Sequence, residues 1–382
     1  MTSNISGMLR QINDYYRKAV ERVTLFCSFL VQKLLYASAF PANFSPQRIL
    51  VIKLDHFGDL LLSTAVFNNL SLNFPSARAD ALIGSWGQTV LENHPKINRL
   101  IYYNSPGFSR QAKSFTLYQS VALLMKLWRQ YDLVVDLRGD WLTVTFALLK
   151  SSPYRMDRAT LQIENKLGQS TSTSIHESDR NLDLLRFYQL KIGPPFPTFH
   201  LSSTDQIWAD AYLATLPTHR SIVVIHPGSP IALKRWPMER FAQLADWLIT
   251  DCQSVIIFVG LASETGLVQR IQKQMHHDSI DLAGQTSLCQ LGALLEKVDL
   301  FLGNDSAPMH LAAAVGVPVL ALYGPSDPER FGPIGANCNT IRLKPDCPPC
   351  MASYCQLNGL GCMREISVAA VKKSVARIFQ LC

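Results

Sequence analysis

Carboxylates, lysines and histidines crowd the strand-to-helix turns of this 382-residue chain, and the turns are of two chemical kinds. The first is acidic. Ile49 to Leu70 reads ILVIKLDHFGDLLLSTAVFNNL, in which an apolar run ends at Leu54 and Asp55-His56-Phe57-Gly58-Asp59 precedes an apolar helix. Turns of this type often hold phosphate on glycine backbone; one Gly with two carboxylates does not suit that. A carboxylate there suits taking a proton from a hydroxyl, with Asp59 as the base. On spacing alone, Asp59 better suits capping the helix start.

The second kind favours anions. HPGSPIALKRWP (His226 to Pro237) has a strand end, a Pro-Gly turn and then Lys234 and Arg235 before a helix. The turn, which contains Ser229, offers backbone N–H groups, and Lys234 offers a point charge for a phosphate. An ordinary turn with a solvated basic pair fits this stretch as well. LGNDSAPMHLAAAVGVPVLALYGPSDP (Leu302 to Pro328) is denser. Asp305 and Ser306 precede Ala307-Pro308, and proline just inside a helix start is preorganised for it. Such an N-terminus attracts anions, and His310 lies one turn in. Glu264 follows the strand end FVG and suits ribose hydroxyls, or else a helix start favoured by the dipole.

No Asp-x-Asp occurs in the chain. Hard divalent cations want several oxygen ligands, so a diphosphate here is expected to be neutralised by Lys234, helix N-termini and amides without a divalent metal or other cofactor. The cysteines Cys347, Cys350, Cys355 and Cys362 cluster near the C-terminus. Their first pair has zinc-knuckle spacing and the second does not. Reduced thiols, a structural zinc and disulfide pairing all remain open.

These turns need a scaffold. Ile49 to Leu54 is a continuous apolar run, as a strand buried on both faces requires. Helix follows over Leu60 to Leu70, then short strands at Ala79 to Ile83, Arg99 to Tyr103 and Leu133 to Asp136, with a long helix from about Lys113 to Gln130. Tyr154 to Ser178 loses periodicity and reads as a mobile basic loop. KIGPPFPTFH (Lys191 to His200) is stiff and extended, and the domain linker belongs in or just after it. The same grammar then restarts in SIVVIHPGS, SVIIFVG, SIDLAG, VDLFLGND and VPVLALYG. Glycine after each strand places close-approach backbone at the carboxyl edge, where ligands of parallel sheets bind. The expected fold is α/β, with two Rossmann-like, doubly wound parallel-sheet domains facing across a cleft. The expected divisions are 1–47 as a helical extension, 48–200, 201–365 and a C-terminal helix over 366–382.

Hydrophobic content of 48% and charged content of 17% describe large cores. A net charge of +7 favours anionic partners without choosing among them, and no basic stripe interleaved with aromatics points to nucleic acid. Val23 to Phe40 reads VTLFCSFLVQKLLYASAF after Arg17, Lys18 and Arg22. It fits a packed helix, a helix in the membrane interface, or an anchor. Acidic residues before a late apolar run argue against a signal peptide. A reduced cytosolic location is expected, with peripheral contact on the inner membrane in the interfacial case.

ILVIKLDHFGDLLLSTAV, IHPGS, KRWPMERFAQLA, LAGQTSLCQLGALLEKVDLFLGNDSAPMHLAAAVGVPVLALYGPSDP and the Cys-rich tail together resemble the heptosyltransferase family of bacterial lipopolysaccharide synthesis. The likeness runs in order from about Arg48 to the C-terminus. It implies a GT-B glycosyltransferase, with an acceptor domain followed by a donor domain. It implies metal-independent, inverting transfer of a heptose from an ADP-sugar to a lipid-linked core saccharide. Carried over residue by residue, Asp59 is the base, Lys234 meets donor phosphate, Asp305, Ser306 and His310 hold the pyrophosphate and sugar, and Glu264 meets the nucleoside. Ser229 and Ala307 complete the donor set. Ala307 stands where the family usually has glycine, and the first 47 residues are extra. Asp55 and His56 then suit orienting or touching the acceptor, and Arg138, Arg155 and Arg158 suit its phosphates, with plain surface basicity as the alternative. An epimerase of the same architecture, a transferase using another nucleotide sugar and a binding protein without turnover are the competing readings.

Overall fold

The computed structural model describes residues 40–104, 129–139, 152–166, 176–342 and 361–380 apart from 42 and 219, with separate positions inside 23–34 and 122–127. The chain forms two compact units, Met1–Ser174 with Ser178–Pro195, and Phe196–Cys382 with Ile175–Glu177.

The first unit is built on a five-stranded parallel sheet of order β3-β2-β1-β4-β5. The strands are β1 (Arg48–Lys53), β2 (Arg78–Ile83), β3 (Ile97–Tyr102), β4 (Leu133–Asp136) and β5 (Tyr154–Asp157). Central β1 is buried from Ile49 onward, which is why Ile49–Ile52 is apolar without alternation, with Lys53 a buried charge at its end. Leu50, Ile52 and Leu54 pack with Leu82, Val134, Leu127 and Tyr131 in one core.

Two expectations are corrected here. Residues expected as one helix from Leu60 to Leu70 form two, α1 (Phe57–Leu62) and α2 (Thr64–Asn73). The Ser63 and Thr64 hydroxyls donate to the Leu60 and Leu61 carbonyls at 2.7 Å each. Such back-bonding competes with the helix ladder and favours a bend. The stretch from Tyr154, expected as a loop, forms β5 and then α3 (Arg158–Lys166). The charged side chain of Arg155 interrupts the apolar pattern of β5, yet it lies inside the protein. Of the helix expected over Lys113 to Gln130, positions 122, 123 and 125–127 are helical, Arg129 and Gln130 are not, and the rest lies outside the described residues.

The second unit has a six-stranded parallel sheet of order β11-β10-β9-β6-β7-β8. Its strands are β6 (Ser221–His226), β7 (Ser254–Phe258), β8 (Ile280–Asp281), β9 (Leu300–Asn304), β10 (Val319–Leu322) and β11 (Cys338–Ile341). Four further helices matter below: α4 (Met238–Cys252), α5 (Thr265–Gln272), α6 (Leu288–Leu295) and α7 (Ala307–Val315). Val223, Ile225, Leu300, Leu302, Leu320 and Leu322 bury against Phe241, Leu244 and Leu248 of α4. The edge strand β11 was not anticipated, because its Cys-Asn-Thr-Ile run is only partly buried and carries no apolar signal. The C-terminal helix Val368–Ile378 closes this core with Val371 and Val375.

Candidate functional site

In the first unit, β1, β4 and β5 are neighbours, so the turns at their carboxyl ends converge. Asp55 follows β1 and lies 3.1 Å from the buried Lys53 ammonium. Burial acts to raise the Asp55 pKa, but Lys53, Arg138 and Arg158 outweigh it and hold the carboxyl below its ordinary value. The tertiary structure thus gathers Asp55, Arg138 and Arg158, three residues picked out from separate stretches of sequence. The Arg158 guanidinium also donates to the Asn181 side-chain oxygen at 2.9 Å. The Trp86 indole N–H donates to the Asp55 carbonyl at 2.8 Å, fixing the turn. The His56 ring lies 6.1 Å from that of Trp86. Neither Lys53 nor Trp86 was singled out from sequence.

Asp59 is exposed in the first turn of α1, with extended His56 as the N-cap. Asp59 is therefore the third residue inside the helix and not its cap. An exposed carboxylate at a sheet's ligand-binding edge is accessible to a hydroxyl substrate.

Arg155 is a correction. Its guanidinium is 1% exposed and lies 2.6 Å from Asp136 and 3.4 Å from Asp157, both carboxylates fully buried. It neutralises two buried acids and presents no charge to an acceptor phosphate. The same Asp136 accepts from the Arg138 and Gly139 N–H groups at 3.0 Å each, so the pair shapes the turn that carries Arg138. Gly139 has φ of +67°, and a Cβ there would collide with the Ala159 backbone.

In the second unit, the carboxyl ends of β6, β7 and β9 bring together residues far apart in sequence. Lys234 lies in a short 3₁₀ turn, Ala232–Lys234, and its ammonium is 2.6 Å from the Asp305 carboxylate. Asn304, at the end of β9, ties the two turns together. Its side chain accepts from Trp236 N–H at 3.0 Å and donates to the Pro227 carbonyl at 2.8 Å. Asp305-Ser306 then leads into α7, with Ser306 as an extended N-cap, Ala307 exposed at the first helical position and Pro308 behind it.

His226 was not among the sequence candidates, although it ends β6 ahead of the Pro-Gly turn. Its Nδ1 lies 2.9 Å from Ser306 Oγ and its Nε2 3.2 Å from Glu264 Oε2. A carboxylate only accepts, so Nε2 carries the proton. Glu264 also accepts from Leu261 N–H at 2.9 Å. Burial acts to raise the Glu264 pKa, and hydrogen bonds from His226 and Leu261, with Arg235 nearby, bring it below the ordinary value. Room for this carboxylate comes from Gly228 and Gly260, where an added Cβ would overlap it.

His310 is buried in the first turns of α7. Burial pushes its pKa down to about 4, Asp305 works against that, and His176 and Lys234 add to it. The ring is neutral near pH 7. Ser229 is a second correction: it is fully buried, its hydroxyl accepting from Ile231 N–H at 3.4 Å and its carbonyl from Arg235 Nε at 2.7 Å. It builds the turn and offers a donor no side-chain contact.

Of the cysteine cluster, Cys347, Cys350 and Cys355 lie outside the described residues, and Cys362 is partly buried beside Gly324. Among the described residues there is no group of three or more potential metal ligands, and no helix is long and apolar enough to cross a membrane.

The whole chain can be compared with known proteins. The family model for glycosyltransferase family 9 (heptosyltransferase) matches residues 121–360. Lipopolysaccharide heptosyltransferase 3 of Escherichia coli K12 is 31% identical over 286 residues, covering 71% of this chain and 81% of that protein. The Veillonella parvula family 9 glycosyl transferase structure superposes with a TM-score of 0.74 at 23% identity, covering 91% of this chain and all of that one. The E. coli ADP-heptose lps heptosyltransferase II structure does so at 0.66 and 22%, covering 87% and 98%. With two Rossmann-like parallel-sheet units in the GT-B class, and with a family match across more than half its length, the chain belongs to glycosyltransferase family 9, the heptosyltransferases.

Proposed function

We propose that this glycosyltransferase moves a heptosyl group from ADP-heptose to a lipid-linked saccharide of the lipopolysaccharide core. The first unit serves the acceptor and the second the donor. The observation that carries the donor half is the convergence of Lys234, Asp305, Ser306 and Glu264 at one sheet edge, joined by His226. Lys234, the N–H groups at the start of α7 and neutral His310 receive the diphosphate and sugar. Glu264 accepts from the nucleoside hydroxyls.

Inverting transfer is a single displacement at the anomeric carbon. A base takes the acceptor hydroxyl's proton as the new C–O bond forms and the bond to diphosphate breaks. Asp59 fills the role of base. The diphosphate leaves as an anion stabilised by Lys234 and helix amides. Asp55, His56, Arg138 and Arg158 orient the acceptor and meet its phosphates. The related E. coli proteins are a lipopolysaccharide heptosyltransferase and an ADP-heptose lps heptosyltransferase, which supports this donor and acceptor class over an epimerase.

The test is incubation of purified protein with ADP-heptose and a lipid A–Kdo or core glycolipid acceptor, followed by mass spectrometry. A heptose added to the glycolipid, with ADP released in equal amount, is the expected result. A changed free sugar without glycolipid product would refute transfer.

A further inference from the structure

Within 23–34, every described position is helical, and the two sides of this helix differ sharply. Gln32 is buried, its side-chain amide donating to the Arg155 carbonyl at 2.8 Å and to the Tyr188 hydroxyl at 3.3 Å. Lys33 pairs with the buried Glu164 of α3 at 2.9 Å. Gln32 pins the side of the helix away from Val23 to the first unit, and Lys33 ties down its flank. On the other side, Val23, Phe26, Leu30 and Leu34 are 63, 56, 40 and 79% exposed, and Cys27 is exposed among them. At about 100° per residue, these five positions share an arc of about 100°, and Gln32 points away from its centre. The stripe is continuous. Other large exposed apolar side chains among the described residues, such as Leu72, Ile207 and Leu261, lie on separate elements.

A soluble protein leaves such a stripe in water only at a cost, so a partner is implied. Charge selects among partners. Besides Lys33, which is paired with Glu164, residues 1–47 carry four basic side chains, Arg10, Arg17, Lys18 and Arg22, against Asp14 and Glu21. Apolar residues on one side with basic residues nearby match a bilayer surface with anionic headgroups. From Val23 to Leu34 the helix rises only about 17 Å, against roughly 30 Å of hydrocarbon, so the stripe lies in the interface and does not cross.

We propose that Val23, Phe26, Cys27, Leu30 and Leu34 form a membrane-docking stripe that seats the first unit on an anionic lipid surface. The proposal rests on the reading above only in giving the enzyme a reason to be there, since a lipid-linked acceptor lies in that surface. Gln32 and Lys33 couple the stripe to the very strand and helix, β5 and α3, that carry Arg155 and Arg158. Docking therefore sets the orientation of the proposed acceptor edge relative to the bilayer.

The test uses full-length protein and sedimentation with vesicles, with no acceptor present. Vesicles of phosphatidylglycerol and phosphatidylethanolamine are compared with pure phosphatidylcholine. Wild type is expected to bind the anionic vesicles, more weakly at high salt. The triple variant Phe26→Ser/Leu30→Ser/Leu34→Ser is expected to lose at least about tenfold in partitioning. Circular dichroism and thermal melts of both proteins check that the variant is folded, and ADP titration checks that the other unit, which holds the donor residues, is unchanged. Equal vesicle binding by wild type and variant would overturn the proposal. So would absence of binding by wild type, or a wild-type dimer that the triple substitution dissociates. Transfer to a water-soluble acceptor analogue tests the enzymatic reading separately.

Discussion

The Lys234 ammonium lies 2.6 Å from the Asp305 carboxylate, and both side chains are largely buried at the carboxyl edge of the second sheet. A diphosphate reaching Lys234 must share that cation with Asp305. The pair thus holds the lysine in place while tempering its attraction for phosphate. Removing the cation leaves Asp305 to repel the donor. Lys234→Met is expected to weaken ADP binding by about 30-fold or more, read by calorimetric titration. Asp305→Asn in the same assay should show non-additivity with Lys234→Met, as a direct pair requires.

Gly228→Ala separates the role of Glu264 from folding. The added methyl meets the end of the Glu264 side chain, which can swing aside, and it meets no backbone among its nearest neighbours. Stability should change little. Glu264 would lose its contact with His226, and donor affinity is expected to fall by about tenfold, an energy of about 1.4 kcal/mol. Thermal melts and ADP titration on the same sample check both halves.

Asp59→Asn keeps the shape of the side chain and removes the base. Because Asp59 is exposed and lies inside α1 and not at its cap, the fold should persist. Turnover is expected to drop by about 10²–10⁴ with donor binding retained, measured as ADP release beside ADP titration. Near-normal turnover would remove Asp59 from the role of base.

His310 makes stability depend on pH. Its folded pKa, about 4, lies below the ordinary histidine value of 6.5. Below that ordinary value the unfolded chain takes up a proton that the folded ring refuses. Stability is thus full at pH 7, falls between about pH 6.5 and 4, and levels off below. The loss is up to roughly 3 kcal/mol. Urea unfolding at pH 7 and pH 5 should show a smaller difference in His310→Gln than in wild type.

Arg155→Met leaves Asp136 and Asp157 buried without their cation. Breaking a buried pair on one side costs about 3–5 kcal/mol. Chemical denaturation is expected to show a loss of that order. ADP binding, held in the other unit, should survive wherever the variant is folded.

Much of the scaffold was legible because its causes are local. Ile49–Ile52 is apolar without alternation because β1 is buried on both faces. Pro308 marks the start of α7 because its missing N–H costs nothing there. Lys234, Asp305 and Glu264 stood out as charged residues at strand ends, and those ends form the ligand edge of a parallel sheet. Ser229 stood beside them in the same motif, yet burial turned its hydroxyl inward. The segment from Tyr154 was misread because Arg155 breaks the apolar pattern, and a buried arginine is legible only with its acids.

The chain's sequence by itself determined the strand runs, the chemical kind of each turn and membership in a family that uses those turns. Those properties depend on neighbouring residues, and motif order keeps them readable. Only the tertiary structure decided which charges meet. Asp136 lies 19 residues before Arg155, and His226 joins Glu264 38 residues on and Ser306 80 residues on. No periodicity records such pairings. The order of strands in each sheet sets them, by bringing distant turns to one edge within hydrogen-bonding reach.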